Sequence, residues 1–226
     1  LLLFWGSSYY RVFLKVEKRV TDCPFGEKLE RYWARRYDYF QRFDEGIQLD
    51  AEGLHTVMPE ASALTLAARL NHVKIVLDGF CGVGGISIAL ARQGKRVIAV
   101  ELDYQRLAMA QRNAEIYGVD GQITFIQGDY FQIAPTVTAQ AVVLDPPWGW
   151  PRFRQDKPFL LEDFTPSGKD LINFSLQYFQ ILMLRAPTIF QVSEMAQFGL
   201  DYQVYIDQLG QEIISKSILI DARAWG

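Results

Sequence analysis

From Val73 to Leu144 the chain alternates short apolar runs with helical segments, and glycines punctuate the joins. Val73 to Asp78 is apolar, then Gly82, Gly84 and Gly85 lead into an apolar helix ending near Arg92, with Gly94 beyond it. Arg96 to Glu101 reads as a second strand, Tyr104 to Tyr117 as a helix stopped by Gly118, Ile123 to Ile126 as a third strand and Ala141 to Leu144 as a fourth. Strands separated by helices of this length build right-handed βαβ units on a parallel sheet. After a long loop the pattern predicts a helix from Gly168 to Met183, a fifth strand from Thr188 to Val192 and a short helix. Two closing runs, Tyr202 to Ile206 and Ile213 to Ile220, flank a turn containing Gly210 and predict an antiparallel hairpin at the sheet edge. The expected fold class is α/β: a mostly parallel, seven-stranded sheet with a C-terminal antiparallel hairpin.

The N-terminal part is different. Alternation from Tyr10 to Val20 suggests a strand, and Pro24-Phe25-Gly26 breaks the chain. Leu29, Tyr32, Trp33, Arg36, Tyr37 and Phe40 recur at helical spacing, predicting a helix from Glu27 to Phe43; Pro59 opens another, to Leu70. These features divide the chain into a small, mainly helical lobe over 1–70 and a sheet domain over 71–226. Residues 9–42 hold nine basic and five acidic side chains, net +4, whereas the whole chain is -3. That acidic total disfavours a protein that coats a long polyanion, while leaving a local basic patch. The basic residues of the lobe helix also suit a plain solvated face.

Half the residues are hydrophobic and 22% are charged, which excludes disorder as the main state. Cys23 and Cys81 are the two cysteines, so a disulfide scaffold is excluded and a reduced compartment, nucleus or cytoplasm, is expected. With His55 and His72 they do not have metal-ligand spacing. No apolar run reaches the ~18 residues that span a bilayer. Leu1-Leu2-Leu3-Phe4-Trp5 is too short for a secretion signal, and the first residue is Leu rather than Met, as in a piece of a longer chain.

Four features fall at the C-terminal ends of successive strands, the edge at which open α/β sheets bind ligands. Asp78-Gly79-Phe80-Cys81-Gly82-Val83-Gly84-Gly85 is a glycine loop, but it departs from the dinucleotide pattern G-x-G-x-x-G. A cofactor with an amino-acid end suits it: the helix terminus takes a carboxylate and Asp78 an ammonium. The same residues also suit a tight strand–helix turn. Glu101 is placed to accept both hydroxyls of a ribose, and Asp103 to cap the next helix. Asp129, in Gly128-Asp129-Tyr130, is placed for an adenine amino group or for a surface turn. Asp145-Pro146-Pro147-Trp148 combines a carboxylate, carbonyls without competing N–H donors and a flat ring. Such a pocket suits an amine on a nucleobase stacked on Trp148; a rigid turn with Trp148 in the core is the alternative. Together the four features imply a Rossmann-like methyltransferase that uses S-adenosylmethionine and acts on an exocyclic amine.

The motifs then resemble one family, the trimethylguanosine synthases. Phe80-Cys81-Gly82-Val83-Gly84-Gly85, Asn113-Ala114-Glu115-Ile116-Tyr117-Gly118 and Pro146-Pro147-Trp148-Gly149 are similar to its sheet-domain motifs. Arg31-Tyr32-Trp33-Ala34-Arg35-Arg36-Tyr37, Arg42-Phe43-Asp44-Glu45-Gly46-Ile47, Leu49-Asp50, Glu52-Gly53 and Pro59-Glu60 are similar to its N-terminal lobe. The resemblance covers roughly 28–222. It implies transfer of methyl groups from S-adenosylmethionine to the 2-amino group of a 7-methylguanosine cap, so the implied partner is capped RNA. It implies a catalytic set of Asp145, Pro146 and Trp148. The implied cofactor set is Phe40, Asp78, Phe80, Cys81, Gly82, Gly84, Glu101, Leu102, Asp129, Tyr130 and Asp145. Arg31, Thr56, Pro147 and Trp148 are implied for the substrate, with Arg31 at the cap phosphates, Thr56 beside the base and Phe40 covering cofactor or base. The chain departs from the family pattern at Asp145, where some relatives carry Ser, and at Met58, where relatives carry Thr. It departs again at Val192-Ser193-Glu194, where relatives read Pro-basic-Asn after strand five, and at Trp150, where they carry Gly. The alternatives are a guanine or adenine amino methyltransferase of tRNA, rRNA or DNA, and a non-catalytic module that holds caps or RNA.

Overall fold

The computed structural model describes residues 23–149 and 156–225. The expected strand over Tyr10 to Val20, and Trp150, lie outside the described residues. A seven-stranded sheet has the order β3-β2-β1-β4-β5-β7-β6. Its strands are β1 (Ile75–Asp78), β2 (Arg96–Glu101), β3 (Ile123–Gln127), β4 (Ala141–Leu144), β5 (Ile181–Ala186), β6 (Tyr202–Leu209) and β7 (Glu212–Asp221). The first five run parallel, and β7 is antiparallel to both β5 and β6. The helices are α1 (Glu30–Trp33), α2 (Arg36–Tyr39), α3 (Ala51–Thr56), α4 (Glu60–Arg69), α5 (Gly85–Arg92), α6 (Tyr104–Tyr117), α7 (Tyr130–Ile133) and α8 (Gly168–Ser175). The strand order reverses between β1 and β4, and that switch point opens a crevice beyond their C-terminal ends.

Local chemistry explains the element ends. β4 and β5 are buried along their whole length, so they read as unbroken apolar runs rather than alternating ones. Asp103 caps α6 by accepting from the Gln105 and Arg106 amides, and Gly118, at φ +66°, closes it in the left-handed region that favours glycine.

The sequence pattern misplaces three elements. The helix expected from Gly168 to Met183 stops at Ser175, and the fifth strand is Ile181–Ala186, not Thr188 to Val192. Strand pairing with β4 and β7 claims the run Ile181-Leu182-Met183-Leu184, whose composition alone fits either state, and Pro187 ends it. Val192-Ser193-Glu194 therefore does not follow strand five directly; it lies in a 3-10 segment, Val192–Phe198. The helix expected from Glu27 to Phe43 is broken into a 3-10 turn, α1 and α2. Arg36 is buried, and its Nη1 donates to the Trp33 carbonyl at 2.9 Å, replacing the bond that a continuous helix would make there. The guanidinium lies 4.9 Å from the Trp33 ring, 4.6 Å from Tyr37 and 5.7 Å from Phe43. The pattern also gave no helix at α3.

One apolar cluster packs the N-terminal segment on the sheet: Phe40, Leu54 and Met58 pack with Leu66, Leu90 and Ala110. The opposite face of the sheet carries a second cluster that includes Leu77, Leu144, Leu171 and Phe190. A polar joint reinforces the first. Glu60, 6% exposed, accepts from the Gln41 amide at 2.8 Å, from Arg92 Nη1 at 2.5 Å and from the Tyr117 hydroxyl. Burial raises its carboxyl, but these three donors together hold it below the usual carboxylate range. Glu60→Gln removes the charge and leaves Arg92 without its carboxylate. A loss of about 1–3 kcal/mol is expected, because Arg92 keeps some water. Thermal unfolding checks this, with an expected fall in Tm of roughly 3–10 °C.

Among the described residues no helix is long and apolar enough to cross a membrane.

Candidate active site

The crevice is a cleft of about 860 Å³ lined by the ends of β1 to β5, by α3 and by the start of β7. Behind β1, the glycine loop turns tightly enough that Gly84 sits at φ +94°, where a Cβ would lie 3.1 Å from the Ala110 methyl. Glu101 anchors the loop to β2: its Oε2 accepts from the Gly82 amide at 2.9 Å and its Oε1 from the Asp103 amide at 2.9 Å. Asp129 caps α7 by accepting from the Phe131 amide at 2.8 Å through Oδ1. Tyr130 is buried, shares a 2.6 Å hydrogen bond with Ser175, and its ring lies 5.4 Å from that of Phe80.

Asp78 is fully buried at the end of β1. Its Oδ2 accepts from the Ser87 hydroxyl at 2.6 Å and the Phe80 amide also pulls on the carboxylate, but among the described residues no hydrogen bond of good geometry reaches Oδ1. Burial pushes its carboxyl up to about 7, against the pull of Ser87 and with Asp145 adding repulsion. Burial likewise raises the Cys81 thiol, and Asp78 and Glu101 add to the effect. Asp145 accepts from Arg185 Nη1 at 2.8 Å; burial nevertheless keeps its carboxyl above the usual range. The Arg185 guanidinium lies 4.7 Å from the Trp148 ring.

Twelve of the expected site residues line this one cleft: Thr56, Phe80, Cys81, Gly82, Glu101, Leu102, Asp129, Tyr130, Asp145, Pro146, Pro147 and Trp148. Four do not. Phe40 is 2% exposed in the core, 6.2 Å from the Tyr117 ring. Gly84 faces Ala110, and Asp78 is fully buried at the last position of β1. Arg31 is exposed on the lobe, bonded at 2.6 Å to the hydroxyl of Tyr32, which does line the cleft. The positive lobe face is partly neutralised. Arg35 pairs with Asp38 at 3.3 Å and, across the cleft, with Glu212 at 2.7 Å, and Arg42 pairs with Glu45.

Among the cleft residues that the sequence pattern did not single out are two with distinctive chemistry. His55 is pushed down to about 4 by burial and by Arg31, so its ring is neutral at pH 7. Arg185 is the other. Its only signal is a charge just before Pro187, beyond an apolar run that the pattern places in the preceding helix up to Met183.

Known proteins of similar sequence and fold agree with this architecture. The trimethylguanosine synthase of Schizosaccharomyces pombe is 34% identical over 166 residues, which are 70% of this chain and 69% of that protein. An uncharacterized RNA methyltransferase of Halalkalibacterium halodurans is 31% identical over 58% of this chain, and that match spans 31% of its own length. A solved structure, the human methyltransferase 10 domain containing protein, shares the fold with a TM-score of 0.59 at 15% identity, covering 86% of this chain and 98% of that one. The model of one family matches residues 73–217, the glycine loop, the Asp-Pro-Pro-Trp element and most of the edge hairpin included, and this chain belongs to that family, the RNA cap guanine-N2 methyltransferases.

Proposed function

We propose that this chain transfers methyl groups from S-adenosylmethionine to the exocyclic 2-amino group of guanine, with the 7-methylguanosine cap of an RNA as substrate. One observation carries the reading. The Asp145-Pro146-Pro147-Trp148 element, with its carboxylate and proline carbonyls as acceptors, opens into the same cleft as the glycine loop, Glu101 and Asp129.

The residues present fit the cofactor. Asp78 itself does not line the cleft but directly precedes Gly79 and Phe80, which do, and its buried Oδ1 suits an ammonium that reaches past them. Each Glu101 oxygen accepts one amide hydrogen, so a carboxylate's further lone pairs remain for ribose hydroxyls. Leu102, 67% exposed at the cleft, suits the face of an adenine. When bound, the cofactor supplies an electrophilic methyl group. Asp145 and the Pro146 carbonyl accept from the guanine amine and aim its lone pair. Pro146 and Pro147 offer no N–H that would compete for that nitrogen. Trp148 stacks on the base, and a 7-methylated, cationic guanine adds a cation–π gain of roughly 0.5–2 kcal/mol. Placement supplies most of the acceleration, and the proton leaves to water once the amine has been alkylated.

A second reading is an RNA purine amine outside the cap. It is favoured by Arg185, a basic residue at the end of β5 that is engaged by Asp145 inside the site. Labelled S-adenosylmethionine with 7-methylated capped RNA, unmethylated capped RNA and uncapped RNA separates the readings. Label is expected on the 7-methylated cap. Equal labelling of uncapped RNA would favour the second reading, and no labelling of any RNA would leave a binding module.

A further inference from the structure

Three groups that the reaction uses or borders converge on one side chain. Arg185, the penultimate residue of β5, is 5% exposed. Its Nη1 donates to Asp145 Oδ2 at 2.8 Å and to the Thr56 carbonyl, at the end of α3, at 3.0 Å. Its plane carries the Trp148 contact at 4.7 Å. One rigid fork therefore fixes the carboxylate, the indole and the lobe edge relative to each other, which a flexible ammonium does less well.

A second layer holds the fork. Arg185 Nε donates to Ser215 Oγ at 3.3 Å, and Ser215 donates in turn to Asp207 Oδ2 at 2.9 Å. Ser217 donates to the same oxygen at 2.8 Å, and Arg69 pairs with Asp207 Oδ1 at 3.0 Å. Asp207, on β6, is 2% exposed. Burying these charges costs solvation that apolar residues of equal volume would avoid, so their burial is weak evidence for a role in stability alone.

We propose that Arg185 is the positioning residue of the transfer step, setting Asp145 and Trp148 against each other, and that Asp207 sets Arg185 through Ser215. The proposal rests on the guanine-amine reading for the identity of the acceptor. Asp145 addresses the edge of a planar base and Trp148 its face. Two such contacts are productive together only when their mutual placement is fixed.

The test compares Arg185→Lys, Arg185→Met and Ser215→Ala with the unaltered chain. For Arg185→Lys, kcat is expected to fall about 100-fold, the usual scale for a misplacement of ~1 Å, while the Kd for S-adenosylmethionine stays within about twofold. Ser215→Ala is expected to lose about tenfold or less, and to add little on top of Arg185→Lys, because both act through one side chain. A carboxyl carbon titration followed by NMR gives a readout without turnover. The charged groups facing Asp145 are Arg185 from β5, Asp78 from β1 and Asp207 from β6, so Arg185→Met leaves only acids and moves the Asp145 titration upward. Arg185→Lys turnover within about twofold of the unaltered chain overturns the proposal. So does a loss of kcat matched by equal losses in cofactor affinity and Tm, which marks damage to the fold. If the unaltered chain methylates no guanine probe, the functional reading fails, and the titration alone decides: an unmoved Asp145 overturns the hold of Arg185.

Discussion

Trp148→Ala is expected to lower kcat/KM for 7-methylated capped RNA by roughly 100-fold, while the affinity for S-adenosylmethionine stays within about twofold. The magnitude follows from what the ring does. Base–aromatic stacking contributes about 1–3 kcal/mol, and a cationic base adds a cation–π part; together they reach roughly 3 kcal/mol, or two powers of ten. The asymmetry between substrate and cofactor follows from topology. Trp148 comes after β4, whereas the groups suited to the cofactor end β1, β2 and β3, on the other side of the switch point. Two further outcomes make the expectation specific. Trp148→Phe keeps a π-face and recovers most of the activity. The preference for a 7-methylated over an unmethylated cap falls toward unity in Trp148→Ala, since the term that distinguishes a cationic from a neutral base goes with the indole. Steady-state kinetics on both caps with calorimetry of the cofactor measures all three quantities. Near-normal turnover by Trp148→Ala would remove the stacking role.

The sheet domain was legible because two periods alternate there and glycine marks the joins. β2, α6 and β4 fall where the pattern put them, since each is bounded by a cap, a glycine or a proline. Where no such punctuation exists the pattern fails. Between α8 and β5 there is neither glycine nor proline, and a four-residue apolar run reads equally as buried helix or buried strand. That single ambiguity also hid Arg185, because its place at a strand end depends on where the strand lies. The lobe failed for another reason. Its break between α1 and α2 depends on a guanidinium enclosed by Trp33, Tyr37 and Phe43, a tertiary contact that local spacing does not encode. At the strand ends, where topology forces residues together, the expected residues share one cleft. Phe40 does not join them, since its motif match carries no information about which way the ring turns. The ring faces the core beside Tyr117.

Asp78→Asn is expected to gain stability and lose the cofactor. In the fold the Asp78 carboxyl is pushed up to about 7, whereas an unfolded aspartate ionises near its ordinary 3.8. Between those values the unfolded chain holds fewer protons than the folded one, so stability falls as pH rises through that window. Above about pH 7 the full cost of a buried carboxylate is present. Asparagine keeps the shape and a polar group for Ser87 but carries no charge. Its Tm is therefore expected to exceed that of the unaltered chain by at least about 3 °C at pH 8, with the difference vanishing below pH 4. Binding runs the opposite way. An ammonium of the cofactor needs the ionised form, so the affinity of the unaltered chain is expected to weaken about tenfold from pH 8 to pH 6, and this slope disappears in Asp78→Asn together with most of the affinity. Asp78→Ala loses the affinity as well, and also leaves the Ser87 hydroxyl without its acceptor. Calorimetric titration at both pH values, paired with thermal unfolding, reads the two effects separately. An affinity unchanged in both variants would mean that the ammonium is held elsewhere. A lost affinity without the gain in Tm would mean that the carboxyl is not strained in the free fold. The expected pairing, more stable and unable to bind, is what a buried acid held for a cationic ligand must show.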